Sequence, residues 1–246
     1  MTEQTTPASG HGAIESSSHV RSMFDRIVPR YDLMNHVMTF GMDIRWRGIV
    51  ARQAATIDGR ASRDVLDVAT GTGDLAFAIR KAGVDRVTGL DFSAEMIASA
   101  TAKGRERGAD VSFVVGDAMA LPFADASFDA CTVSFGLRNM PDYGAAIAEM
   151  ARVLRPGGRF ICLEMTPYRT PLLRVPFQFY FERIVPLIGG VLSGDREAYT
   201  YLPKSVAAFP PAEELAALMR GADLTQVTYR KLGFGTVAMH VGVRAG

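Results

Sequence analysis

Twelve residues constrain the fold of this chain more than any others: Asp64-Val-Leu-Asp-Val-Ala-Thr-Gly-Thr-Gly-Asp-Leu75, an apolar run that passes through a glycine loop into a helix-like segment. Val65, Leu66, Val68 and Ala69 read as a short buried strand, and Leu75-Ala-Phe-Ala-Ile-Arg80 begins a helix. Between them Gly71 and Gly73 permit a tight turn and let the backbone approach a ligand closely. A second apolar run, Val87-Thr-Gly-Leu-Asp91, ends in an acid 18 residues after Gly73. That is close to the spacing of about 20 residues at which a strand-end carboxylate meets ribose hydroxyls. A carboxylate offers two acceptor oxygens, which suits two vicinal hydroxyls. The pattern predicts a nucleoside-type pocket at the strand ends of an α/β sheet.

The loop also discriminates among such ligands. A dinucleotide needs its pyrophosphate on the helix N-terminus, where this chain has Asp74 in place of a third glycine. A fixed negative charge there repels phosphate and suits a cationic or zwitterionic ligand. S-adenosylmethionine, with a sulfonium, an ammonium and no phosphate, meets that requirement.

The remaining sequence narrows the class. The chain has 246 residues, 48% of them hydrophobic, enough for one α/β domain with insertions. With 27 basic and 26 acidic residues the net charge is +1, so no nucleic-acid partner is expected. Cys131 and Cys162 lie in apolar runs and read as buried reduced thiols, which points to the cytoplasm. Residues 1–19 are rich in Thr, Ser and Gly and lack a basic start and an apolar core, so they read as a flexible tail and not a signal peptide. No apolar run reaches the roughly 18 residues that span a bilayer.

Strand-like and helix-like segments alternate along the chain. Val111–Asp117, Phe128–Phe135 and Arg159–Met165 read as further strands; Ala94–Arg107 and Gly144–Leu154 read as helices, the second stopped by Pro156-Gly-Gly158. This alternation predicts a doubly wound parallel sheet. Leu224–Gly235 and Thr236–Arg244 read as two consecutive strands, an antiparallel pair at one sheet edge.

These segments carry a resemblance. Asp67 to Asp74, Asp91, Gly116-Asp117-Ala118 with Leu121-Pro-Phe123 and Ser127-Phe-Asp129, then Arg152-Val-Leu-Arg-Pro-Gly-Gly158, resemble the successive motifs of class I S-adenosylmethionine-dependent methyltransferases. Around them Met23-Phe-Asp25, Arg30-Tyr-Asp-Leu-Met-Asn35, Phe40-Gly41, Trp46, Ser134-Phe-Gly-Leu-Arg-Asn139, Tyr199 to Ser205, Phe209-Pro210 and Ala238-Met-His240 resemble the C-methyltransferases of menaquinone and ubiquinone biosynthesis, from about Val20 to Arg244. The resemblance implies a Rossmann-like seven-stranded, mostly parallel sheet with an antiparallel C-terminal edge pair. It divides the chain into the tail, residues 1–19, and one methyltransferase domain, residues 20–246, with a helical lid over 20–60 and an apolar insertion over 167–205.

It further implies methyl transfer from S-adenosylmethionine to a ring carbon of a prenylated quinol, with no metal. Gly71, Thr72 and Gly73 are expected at the methionine part, Asp91 on the ribose, Asp117 and Ala118 at the adenine, and Ser134 beside the cofactor. On the substrate side Tyr31, Asp32, Asn35, Arg138 and Asn139 are expected around the quinol oxygens. Arg138 remains protonated and would stabilise a phenolate rather than act as a base. His240 and Asp32 are the candidate proton acceptors.

The segment Pro167 to Leu192 is dense in Leu, Ile, Val and Phe, with Arg169, Arg174 and Arg183 interspersed. It suits a prenyl channel, a bilayer surface at the inner face of the plasma membrane, or packing in the core or a homodimer. The acceptor is expected to be demethylmenaquinol; the ubiquinone precursor, another phenol, and a noncatalytic cofactor-binding scaffold are the alternatives.

Overall fold

The structure is a computed structural model that describes residues 12–167, 179–187, 189 and 195–246. The start of the expected tail and most of the apolar 167–192 segment lie outside the described residues. Three helices open the chain: α1 (Ser17–Ile27), α2 (Tyr31–Met38) and α3 (Met42–Ala55). A short hairpin, β1 (Thr56–Ile57) and β2 (Arg60–Ala61), leads into β3 (Asp64–Val68), α4 (Asp74–Lys81), β4 (Arg86–Asp91), α5 (Ala94–Arg107), β5 (Ser112–Val115) and β6 (Phe128–Ser134). Then follow α6 (Tyr143–Arg152), β7 (Leu154–Met165), α7 (Arg196–Ala208), α8 (Ala212–Arg220), β8 (Leu224–Leu232) and β9 (Val237–Arg244).

Seven strands form one sheet in the order β5-β4-β3-β6-β7-β9-β8. The pairs from β5 through β7 are parallel, whereas β9 runs antiparallel to both β7 and β8. The last strand therefore lies inside the sheet and β8 forms its edge. Successive strands wind outward in opposite directions from β3 and β6, and the crevice beyond their C-terminal ends is where open α/β sheets bind ligands.

Both faces of the sheet are covered, which is why its strands are continuously apolar. Val50, Ala51 and Ala54 of α3 and Leu75, Ala76 and Ile79 of α4 pack on one face with Val65, Ile161 and Leu163. Ala146, Ile147 and Met150 of α6 and Leu215 and Met219 of α8 cover the other, with Leu66, Val133 and Phe160. Each fully buried Leu, Ile, Phe or Met contributes about 1.5–3 kcal/mol. A third cluster joins Val20, Met23 and Ile27 of α1 to Met34 and to Tyr199, Tyr201 and Val206 of α7, and so anchors the N-terminal helices over the strand ends.

Local signals set the boundaries near the crevice. Ser93 accepts from the Met96 N–H and starts α5, which ends at Gly108 in a left-handed conformation. One boundary differs from the sequence expectation. Pro156-Gly157-Gly158 lies inside β7, which starts at the buried Leu154 opposite Phe128, and the ladder slips by a bulge before Arg159 pairs with Ala130. A bulge tolerates a Pro that a regular central ladder would reject.

Candidate active site

A cavity of about 610 Å³ opens at the ends of β3, β4 and β6. Gly71 and Asp91 line it, as do Asp117 and Ala118 after β5 and Asn139 after β6, and α1 and Tyr31 wall the opposite side. The Asp91 carboxylate is held by two backbone donors, Gly71 N–H at 2.8 Å and Ser93 N–H at 3.0 Å, one on each oxygen. That leaves lone pairs on both oxygens for a diol. Burial raises its pKa against those hydrogen bonds. Asp117 is fixed by the Met119 N–H at 2.9 Å.

The two loop glycines do different work. Gly71, at φ +55°, brings backbone to the cavity wall, with Tyr31 across from it. Gly73, at φ +87°, does not line the cavity; a Cβ there would sit 2.8 Å from the ring of Phe113. It serves close packing as well as the turn. Thr72 and Ser134 line a smaller adjoining space of about 20 Å³, together with Asp67, Arg47 and Tyr31. The Thr72 hydroxyl donates to Asp32 of α2, so its side chain is committed to the N-terminal helices. The Ser134 hydroxyl is buried without a partner, the state expected of a group that a polar ligand completes.

Asp74 corrects an expectation. Its carboxylate is paired with Lys103 at 3.0 Å, Arg47 at 3.4 Å and Arg107 at 3.6 Å, and it does not line the large cavity. Its charge is compensated within the protein, so it cannot be what repels phosphate. The described lining of the large cavity carries Asp25, Asp91 and Asp117 against one cation, Arg21. That acidic excess supplies the preference assigned to Asp74 from sequence.

Asp67, near the C-terminal end of β3, is buried and accepts from Thr70 at 2.6 Å and Thr132 at 2.7 Å. Burial raises its pKa to about 6 despite the two hydroxyl hydrogen bonds.

A second pocket of about 90 Å³ adjoins the first, and Phe24, Tyr31 and Phe135 line both. Its apolar wall includes Met23, Ile27, Met38, Phe181 and Leu202, and its polar side chains besides Tyr31 are Asn35, Thr39, Asp43, Arg47, Arg138, Tyr199 and Tyr201. Tyr31 stays protonated, because burial raises its pKa more than the Asn35 hydrogen bond and the Arg47 and Arg138 charges lower it. Arg138 lies on the one-turn helix Leu137–Asn139 after β6. It is buried and donates from Nη1 to Glu164 at 2.8 Å and to the Phe135 carbonyl at 2.5 Å, while its buried Nε has no partner. Asn139 accepts from the Tyr201 hydroxyl at 3.2 Å.

Neither proton acceptor expected from sequence is free in this pocket. His240 sits in mid-strand on β9, buried, with Nε2–H donated to the Ala212 carbonyl at 2.8 Å and its ring against Tyr229. It faces α8, away from both cavities, and burial lowers its pKa. Asp32 is bound to Lys103 at 2.6 Å and to Thr72; burial would raise its pKa, but these partners hold it below the usual carboxylate range. It ties α2 to the glycine loop.

The same kind of tie recurs along α1. Asp25 accepts from the Ser93 hydroxyl at 2.6 Å, and Arg21 donates to the Phe92 carbonyl and lies over its ring. Sequence reading gave no role to Asp25, Arg21, Asp67 or Glu164. For Glu164 a signal existed: it is a lone acid at the end of the apolar run Phe160-Ile-Cys-Leu163.

S-adenosylmethionine fits this arrangement. The volume lies within the range of small-ligand sites, Asp91 suits a diol, the acidic excess suits a cation, and Ser134 lacks a partner.

Comparison with known proteins agrees with this geometry. The chain is 46% identical to a demethylmenaquinone methyltransferase of Thermus thermophilus, over 90% of this chain and all of that one. It is 47% identical to one of Roseiflexus sp., over 94% of this chain and 96% of that one. A ubiquinone/menaquinone biosynthesis C-methyltransferase UbiE of Desulfotalea psychrophila is 45% identical over 92% of this chain and 90% of its own length. Among solved structures the [4+2]-cyclase SpnF aligns with a TM-score of 0.70 at 19% identity, covering 96% of this chain and 99% of that one. A SAM-dependent methyltransferase of Thermotoga maritima aligns with 0.62 at 22%, covering 92% and all of it. The fold is thus shared with proteins of differing chemistry, and the family is decided by sequence. A family model described as the ubiE/COQ5 methyltransferase family matches residues 13–244, and the chain belongs to that family.

Proposed function

We propose that this chain methylates a ring carbon of demethylmenaquinol, using S-adenosylmethionine, and so forms menaquinol. One observation carries the reading: a nucleoside-sized acidic cavity and an apolar pocket meet at Phe24, Tyr31 and Phe135. S-adenosylmethionine, when bound, supplies an electrophilic methyl group. Asp91 holds the ribose, Asp117 and Ala118 take the adenine, and Gly71 with Ser134 borders the methionine part. Arg138 and Tyr31 donate to the quinol oxygens, and the guanidinium stabilises the ring oxygen after it gives its proton to solvent. As the S–methyl bond breaks the ring carbon takes the methyl, S-adenosylhomocysteine is the leaving group, and the ring-carbon proton passes to solvent as aromaticity returns. Asn139 and Tyr201 orient the opposite edge of the ring. Helices α1 and α2 act as a lid that excludes water. The names of the Thermus and Roseiflexus relatives favour demethylmenaquinol. The UbiE relatives favour a second acceptor, the 2-methoxy-6-polyprenyl-1,4-benzoquinol precursor of ubiquinone. A strain lacking this chain should accumulate demethylmenaquinone; accumulation of the benzoquinone precursor alone would select the second acceptor.

The reading extends to a peripheral bilayer contact through which a prenylated substrate enters. Phe40 is 77% exposed and Phe234 83%, both at turn apices with positive φ. Phe40 packs on Tyr180, next in sequence to the exposed Phe179, and Gly233, beside Phe234, lies against Trp46, two residues from the exposed Ile44. Exposed Arg45 and Arg183 suit anionic headgroups. Sedimentation with anionic vesicles, weakened by Phe40→Ser with Phe234→Ser, is expected; no vesicle binding by the unaltered chain would exclude the contact.

A further inference from the structure

We infer that Glu164 is a positioning residue for Arg138, which it both orients and neutralises; this rests on the assignment of Arg138 to the quinol oxygens. Glu164 stands at the end of β7, where the strand is otherwise apolar, and its side chain is 1% exposed. A carboxylate in such a place requires partners. It has three, and two belong to one residue: Arg138 Nη1 at 2.8 Å, the Arg138 backbone N–H at 3.3 Å and the Met165 N–H at 2.9 Å. Glu164 therefore grips Arg138 by main chain and side chain together. With Nη1 committed to Glu164 and to the Phe135 carbonyl, and Nε buried, Nη2 is the nitrogen left to meet a ligand. The clamp selects which edge of the guanidinium is free to meet a ligand oxygen.

The pair also sets the charge of the pocket. A lone buried guanidinium would hold an anion in the ground state. Beside Glu164 it forms a neutral pair that accommodates an uncharged quinol and still stabilises negative charge as it develops. The other ionisable groups facing this pair are Tyr31 on α2, Asp43 and Arg47 on α3, Tyr143 on α6, whose hydroxyl donates to the Arg138 carbonyl, Tyr201 on α7 and Cys162 on β7. Asp43 and Arg47 bind each other at 2.7 Å, which leaves the Arg138–Glu164 pair to set the local balance.

The isosteric change Glu164→Gln tests both functions. Loss of the clamp should lower kcat on the order of 100-fold with cofactor affinity unchanged, since small misplacements at a reacting centre have effects of that size. Removal of the neutralising charge should lower the pKa of the bound quinol, so the acidic limb of the kcat profile should move to lower pH by about one unit or more. Glu164→Asp, which keeps the charge, should retain the normal limb. A fall in activity with no displacement of that limb would reduce Glu164 to a structural residue and overturn the inference.

A positioning residue acts only through its partner. The double variant Glu164→Gln/Arg138→Gln, which avoids a lone buried charge, should turn over no more slowly than Arg138→Gln alone. Additive losses would overturn the inference. Turnover by the unaltered chain tests the substrate assignment itself. A crystal structure of Glu164→Gln tests the clamp without substrate: the guanidinium should leave the Phe135 carbonyl, and an unmoved guanidinium contradicts it.

Discussion

The cofactor side and the substrate side of this site are built in opposite ways. On the cofactor side, functional groups come from the loops at three neighbouring strand ends, and the backbone does much of the holding: Asp91 is fixed by Gly71 and Ser93 N–H groups, Asp117 by that of Met119. On the N-terminal helices and the substrate side, several polar groups are held by side chains remote in sequence. Asp32 reaches Lys103, Asp25 reaches Ser93, Arg138 reaches Glu164 and Tyr201 reaches Asn139. Backbone-held groups keep their geometry whatever packs against them. Side-chain-held groups depend on a second element staying in place, which suits a part that opens to admit substrate.

Substitutions can break this contrast. The largest effect is expected at Asp91. Asp91→Ala removes a carboxylate expected to accept two hydroxyls and also orphans two backbone donors, so cofactor affinity measured by calorimetry should fall by about 3 kcal/mol or more. Unchanged affinity would refute its ribose role. Arg138→Lys should lower kcat on the order of 100-fold while cofactor binding is spared, because an ammonium held by Glu164 and the Phe135 carbonyl has no second nitrogen to present to the pocket. A loss of cofactor affinity instead would mean that the two sides are not separable.

Asp67 gives a pH test of the cofactor side. Its folded pKa, about 6, lies above the ordinary 3.8, so the folded state holds its proton more tightly. The sign follows: Asp67 burdens stability only when ionised, with no cost below pH 4 and a rising cost as pH passes from 4 to 6. The fully developed cost is about 3 kcal/mol. The stability gap between Asp67→Asn and the unaltered chain should therefore widen in favour of the variant over that range and stay level above it. A gap independent of pH would show that Asp67 titrates normally.

A smaller effect is expected at the lid. Lys103→Met removes a partly buried cation from Asp32 and Asp74 and should weaken cofactor binding by about 1 kcal/mol, with faster release in stopped-flow. The smallest belongs to His240, which lies under α8. His240→Gln should leave kcat within about twofold while lowering the melting temperature. A collapse of kcat with normal stability would return it to the chemistry.

This contrast also governs how much was legible in the sequence. The strand at Asp64–Val68, the helix Ala94–Arg107 and the spacing from Gly73 to Asp91 are local patterns, and they point directly to strand-end loops that line the large cavity. Asp74 misled because its three cationic partners come from α3 and α5, and its own neighbours give no sign of them. His240 misled for the same reason: a histidine near a strand end could face either side of the sheet, and pairing with Cys162 and Tyr229 turns it toward α8. Glu164 was passed over because a lone acid in an apolar strand implies a buried partner without saying which.

The central claim is that the two joined cavities bring a methyl donor to a quinol ring. Incubation of the purified chain with methyl-labelled S-adenosylmethionine and demethylmenaquinol under reducing conditions tests it most directly. Label on a ring carbon of menaquinol, and none when the acceptor is kept as the oxidised quinone, is the expected result. Cofactor binding with no transfer to the reduced acceptor would contradict the claim.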